Sequence, residues 1–186
     1  MVANPKQQQM TLEEFERFAV LPENRHRRFE LIDGEVVELV SNEIPAHITS
    51  LLTILVGSFI VQHQLGYTTS SESGFRIGNN DYMPDFAFIS KQRREKPAGE
   101  TWITVVPDLV IEVKSPTDSL VGLISKAADY LEAGVRTVWV VLPEKRRVDV
   151  YTQEDMLQYG VEGLIIGGDV LPGFTLKVAE IFAHLS

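Results

Sequence analysis

Apolar positions recur along this chain with two different periods, and glycine and proline punctuate the changes between them. Thr11-Leu12-Glu13-Glu14 has the spacing of a capping box, in which the Thr11 hydroxyl and the Glu14 carboxylate serve free backbone donors at a helix start. A short helix over about 12–20 follows and must stop before Pro22. Phe29-Glu30-Leu31-Ile32-Asp33-Gly34-Glu35-Val36-Val37-Glu38 then reads as a hairpin, because Asp-Gly between two β-prone runs supplies the positive φ angles a two-residue turn requires. After Pro45 a long apolar segment over about 46–65 predicts a helix ended by Gly66. Strand-like runs cover 67–77, with an irregularity at Gly74, then 83–90 and 109–114, the last two separated by a charged stretch over 91–100.

A second helix is expected over about 118–133, stopped by Gly134. The nearly unbroken apolar run 135–142 suits a strand covered on both faces. Residues 147–152 alternate as a further strand, and short strands near 164–166 and 175–177 precede a last helical turn. Residues 1–10 are polar and glutamine-rich and are expected to be disordered; 11–186 form one α/β domain without repeats or linkers.

Composition narrows the class. The 186 residues include 44% hydrophobic and 23% charged positions, the proportions of an ordinary soluble globule. The absence of cysteine excludes a disulfide scaffold, a cysteine zinc finger and a thiol nucleophile, and fits a cytoplasmic protein. The N-terminus lacks a basic start followed by an apolar stretch, so no signal peptide is expected. The apolar segment 48–65 is interrupted by Thr, Ser, Gly, Gln and His, which predicts a buried helix and no membrane span. With 26 acidic and 17 basic side chains the net charge is −9, which opposes nonspecific coating of a polyanion.

The strand Asp108-Leu109-Val110-Ile111-Glu112-Val113-Lys114 carries the most informative polar residues. Alternation sets Glu112 and Lys114 on the same face, about 6.5 Å apart. Buried charges need partners or a metal, whereas an exposed ion pair on an edge strand would show the same letters. Pro84 lacks a ladder donor and belongs at a strand start, which sets Asp85 at the entrance of an apolar strand; a turn aspartate is the simpler alternative. Glu30 lies in the hairpin opposite Phe29 and Leu31 and shares its face with Ile32, either as a site carboxylate or as a hairpin-edge one.

Pro84-Asp85 followed by Glu112-Val113-Lys114, within a helix–three-strand–helix–strand order, resembles the PD-(D/E)XK nuclease superfamily. With Phe29 to Glu35, Pro107 to Pro116, Lys126, Tyr130 and Glu132-Ala133-Gly134-Val135, the chain is more closely similar to a widespread bacterial family of restriction-endonuclease type, classed as a domain of unknown function. The similarity spans about 10–182. It implies a restriction endonuclease-like α/β fold, a mixed central sheet flanked by helices, with an N-terminal hairpin and helix. Many relatives lack a lysine in the slot of Lys114, and they often carry an aspartate where this chain has Leu142-Pro143.

The resemblance further implies Asp85, Glu112 and the Val113 carbonyl as ligands of Mg²⁺, or Mn²⁺, with Lys114 acting on the attacking water or the developing charge and Glu30 as a third carboxylate. Lys126, Tyr130 and His47 are candidate contacts to a substrate phosphate, the alternatives being a solvated lysine, a core tyrosine and a structural histidine at a helix start. DNA is the expected partner, held through a local basic rim drawn from Arg25-His26-Arg27-Arg28, Lys91-Gln92-Arg93-Arg94 and Lys145-Arg146-Arg147, and a homodimer is expected because cutting two strands needs two sites. The rival readings are a nuclease-fold domain that binds nucleic acid or protein without cutting, and a phosphohydrolase acting on RNA or a small molecule.

Overall fold

The computed structural model describes residues 9–185. Most of the stretch expected to be disordered, 1–8, lies outside the described residues. Gln9 and Met10 are tied down: the Met10 N–H donates to the Gly34 carbonyl at 2.8 Å and Gln9 Nε2 to the Asp33 carbonyl at 3.0 Å.

In chain order the elements are α1 (Leu12–Ala19), β1 (Phe29–Ile32), β2 (Glu35–Glu38), α2 (Glu43–Gln62), β3 (Gly66–Ser70), β4 (Gly74–Ile77), β5 (Asn80–Tyr82), β6 (Phe86–Ser90), β7 (Trp102–Ile103), β8 (Leu109–Val113), α3 (Leu120–Glu132), β9 (Thr137–Leu142), β10 (Arg147–Tyr151), β11 (Met156–Tyr159), β12 (Leu164–Ile166), β13 (Thr175–Lys177) and α4 (Val178–Ile181). Both local signals at the N-terminal end are realised. Thr11 and Glu14 form the capping box, and Asp33 and Gly34 take φ of 51° and 80° in the hairpin turn.

The main sheet has the order β11-β10-β9-β8-β6-β3. β8 and β9 run parallel, joined by α3, and every other neighbouring pair is antiparallel. Both faces are covered. Ile48, Leu52, Val56 and Ile60 of α2 pack with Leu109, Ile111 and Val113 on one face; Leu123, Ala127 and Tyr130 of α3 pack with Val110, Val138 and Val140 on the other. The buried side chains of α2 recur every three or four residues, which is the spacing of one helix face. By length and composition α2 could cross a membrane, but here that face lies in the core while Ile54 and Val61 stay exposed.

A second sheet, β2-β1-β5-β4-β7, packs beside α3. The run 67–77 therefore divides between two sheets at the irregularity around Gly74. A Cβ on Gly74 would lie 2.3 Å from the Trp102 ring, so a side chain there would displace the indole. The division brings β1 and β5 against the end of the main sheet where β6 begins and β8 finishes.

Candidate active site

At that junction Arg28, Glu30, Asp85, Glu112 and Lys126 line a cleft of about 380 Å³. Glu30 and Glu112 are buried. On β8, alternation sends Leu109, Ile111 and Val113 toward α2 and turns Glu112 toward α3, where Lys126 and Tyr130 sit one helical turn apart. The Tyr130 hydroxyl donates to Glu112 Oε1 at 2.7 Å, and Lys126 Nζ lies 3.0 Å from the same oxygen. Lys126 also donates to both oxygens of Glu30, at 2.9 and 3.1 Å, and the Met83 N–H donates to Glu30 Oε1 at 2.8 Å. One ammonium thus bridges the two sheets.

Asp85 is held by the way the β6–β8 ladder ends. Phe86 pairs with Ile111, and continuing that register sets Val113 opposite Pro84, which has no N–H to give. Asp85 Oδ2 accepts the Val113 N–H instead, at 2.8 Å. In the same register Pro84 offers no donor to the Val113 carbonyl, and Val113 lines the cleft with Asp85 and Glu112. Among the described residues, Asp85 Oδ1 and Glu112 Oε2 have no hydrogen-bond donor.

The electrostatics reflect crowding of like charge. Burial pushes the Glu112 carboxyl up to about 7; Lys126 opposes the rise, and Asp85 and Glu30 add to it. Burial also raises Asp85, against the Val113 N–H and Lys126. For Lys126, burial disfavours the ammonium, but Glu112 and Glu30 outweigh it and hold the group protonated. Burial and the neighbouring carboxylates keep Tyr130 a neutral hydrogen-bond donor. With all three carboxylates ionised against one ammonium, the excess would be two negative charges, a crowding that adds to the rise of Glu112.

That donor set fits a hard divalent cation. Two free carboxylate oxygens and one carbonyl are what Mg²⁺ takes from a protein when water fills the rest of its shell. Among the described residues no group of three His, Asp or Glu side chains is arranged to cage a metal alone, which is consistent with Glu30 being engaged by Lys126 and the Met83 N–H.

The sequence-derived residues divide accordingly. Asp85, Glu112, Val113, Glu30 and Lys126 come together. Lys114 does not join them: β8 ends at Val113, and the chain turns through Ser115 and Pro116, with the Ser115 N–H donating to Asp118 at 2.7 Å. Alternation fails past the strand end. Lys114 Nζ donates to the Ser115 carbonyl at 3.2 Å and lies 3.7 Å from Glu144, on the wall of a neighbouring cavity. Tyr130 is buried behind Glu112, out of reach of a phosphate. His47 is exposed on α2, its ring 5.8 Å from that of His184, away from the cleft.

A family model named Uma2, described as "Putative restriction endonuclease", matches residues 12–179. The chain belongs to the Uma2 family. A crystal structure at 1.96 Å resolution of a protein described as "a putative nuclease belonging to DUF820", from Anabaena variabilis ATCC 29413, is similar with a TM-score of 0.82. The two are 19% identical, and the match covers 94% of this chain and 98% of that one, which shows a shared fold. No curated protein matches. Membership supports a nuclease-like function for this Uma2 chain.

Two features of the Uma2 site escape the sequence reading. Tyr82, on β5, donates to Asp129 at 2.5 Å and carries Lys126 5.7 Å above its ring centroid. The helical spacing of Lys126, Asp129 and Tyr130 was the available signal. The basic runs, in turn, are largely committed within the fold. Arg27 pairs with Glu38, Arg93 with Asp108, Arg94 with Glu100 and Arg147 with Asp149. Arg28 lines the cleft, with its Nη1 on the Ser71 carbonyl at 3.2 Å.

Proposed function

We propose that this Uma2 protein is a Mg²⁺-dependent phosphodiesterase that hydrolyses DNA. One observation supports the reading: Asp85, Glu112, Val113 and the buried Lys126 line one cleft, in which Asp85 Oδ1 and Glu112 Oε2 accept no hydrogen bond among the described residues. Asp85, Glu112 and Val113 would hold the ion. When bound, Mg²⁺ supplies Lewis-acid polarisation of a phosphate oxygen and lowers the pKa of water.

The chain's own residues supply the rest. The Val113 N–H fixes Asp85, and the Tyr130 hydroxyl fixes Glu112, so neither carboxylate has to be ordered when substrate arrives. Lys126, kept charged by Glu30 and Glu112, faces the cleft where negative charge would develop on the phosphate. In this reading Lys126 takes the part that the Glu-x-Lys spacing assigned to Lys114. Glu30 anchors the lysine.

A cleavage screen tests the proposal, using single-stranded, double-stranded and nicked DNA beside RNA, each with Mg²⁺, with Mn²⁺ and with chelator. Metal-dependent cutting of DNA is expected. Cutting of RNA alone, or cutting that survives chelation, would overturn the reading.

A further inference from the structure

A second cavity, of about 500 Å³, adjoins the carboxylate cleft, and Pro45 and Ser115 line both. Its electrostatic character is the reverse of its neighbour's. Among the described residues, the cleft is walled by Glu30, Glu38, Asp85, Glu112, Asp118 and Asp129 against Arg28 and Lys126, whereas the second cavity presents Lys114 and Arg146 against one carboxylate, Glu144. The remaining wall is mainly apolar, built from Ile44, Pro116, Pro143 and Leu185 beside Pro45. Apolar walls with a few convergent polar groups are the ordinary make-up of a small-molecule site.

The two cations differ in commitment. Arg146 sits in the left-handed region, with φ of 45°, and donates through Nη2 to the carbonyls of Phe182 and Leu185, so it builds the wall. Lys114 is held loosely. It has the Ser115 carbonyl at 3.2 Å and Glu144 at 3.7 Å, and the Glu144 side chain is 51% exposed. An ion pair with so exposed a partner contributes little, so a phosphate offering charge-assisted hydrogen bonds would displace it. Lys114 lines the adjoining cavity and not the carboxylate cleft, so its ammonium is placed for a neighbour of any phosphate bound at the carboxylates.

We propose that this cavity is a nucleotide subsite. Lys114 binds the phosphate adjacent to the scissile one, and the sugar and base of that nucleotide lie against Pro45, Pro116 and Pro143. The register rests on the phosphodiesterase reading; the charge and shape of the cavity do not.

The test is an anisotropy titration of a labelled short single-stranded DNA with Ca²⁺ in place of Mg²⁺, over a range of salt, for wild type, Lys114→Met and Lys114→Arg, each checked for an unchanged thermal midpoint. Lys114→Met should bind about 5–10-fold more weakly at low salt, and its log–log salt slope should fall by about 0.7, the share of one phosphate contact on a single strand. Lys114→Arg should retain most of the affinity and the slope. With Mg²⁺, the loss in Lys114→Met should fall on KM. Equal affinity and slope in Lys114→Met, no DNA binding by wild type, or a loss confined to kcat would each overturn the subsite. If wild type fails to cut but Lys114→Met still loses affinity, the phosphodiesterase reading and the register fail, and the cavity stands as a nucleotide-binding site. If wild type cuts and Lys114→Met binds as wild type does, only the subsite fails.

Discussion

Lys126 Nζ lies 3.0 Å from Glu112 Oε1, joining α3 to the end of β8, and the same ammonium reaches Glu30 on the neighbouring sheet at 2.9 Å. A single buried cation thereby compensates carboxylates from both sheets, and in the proposed function the cleft's stability and its chemistry would depend on the same side chain.

Removing that cation should therefore be costly. Lys126→Met leaves Glu30 and Glu112 buried without their shared partner, a change that typically costs about 3–5 kcal/mol. Chemical denaturation near pH 7 checks this. Millimolar Mg²⁺ should recover part of the loss, because a divalent ion offsets the same excess charge. A cost below about 1 kcal/mol would mean that the carboxylates are already compensated by other groups.

Glu112 gives a pH signature. Its carboxyl is pushed above its ordinary 4.5 to about 7, chiefly by burial. A carboxyl whose folded pKa lies above its unfolded value stabilises the fold most below the unfolded value, and that contribution is lost as pH rises through the folded one. The stability of wild type relative to Glu112→Gln should thus fall between about pH 4.5 and about 7, by on the order of 3 kcal/mol. Parallel denaturation series for the two proteins, without divalent ions, measure it. Two parallel curves would contradict the assignment.

Tyr130 should act through Glu112. Tyr130→Phe deletes the 2.7 Å hydrogen bond while keeping the ring that packs from α3 onto the sheet. The expected stability cost is about 1–2 kcal/mol. Binding of Mg²⁺, read by calorimetry, should weaken by about 10-fold or more, as when the partner that orients a metal ligand is lost. Unchanged metal affinity would leave Tyr130 a packing residue only.

Much of this architecture is legible in the sequence, where local chemistry decides it. The Thr11–Glu14 box, the Asp33-Gly34 turn and the stop at Gly134 each specify a backbone geometry with few alternatives. The face of Glu112 follows from strand alternation. What the sequence leaves open is set by contacts between distant segments. The division of 67–77 into two sheets depends on Trp102 closing over Gly74, some thirty residues away in the chain. The displacement of Lys114 depends on where β8 ends, which is fixed by the β9 partner Val141, the Ser115–Asp118 turn and Pro116. Lys126 and Glu30 are 96 positions apart, and neither letter alone reveals the pairing. The burial of Tyr130 likewise emerges only once α3 is laid on the sheet.

The most direct test of the central claim compares initial rates of DNA cleavage in Mg²⁺ for wild type, Asp85→Asn and Lys114→Met under one set of conditions. Asp85→Asn keeps the size of the side chain but removes the charge of a residue assigned to the metal, and its rate should fall by at least about 100-fold, the loss of more than about 2.7 kcal/mol of transition-state stabilisation. Lys114→Met should lose about 10-fold at subsaturating DNA. Cleavage by Asp85→Asn at the wild-type rate would contradict the account, because the chemistry would then lie outside the cleft that Asp85, Glu112 and Lys126 define.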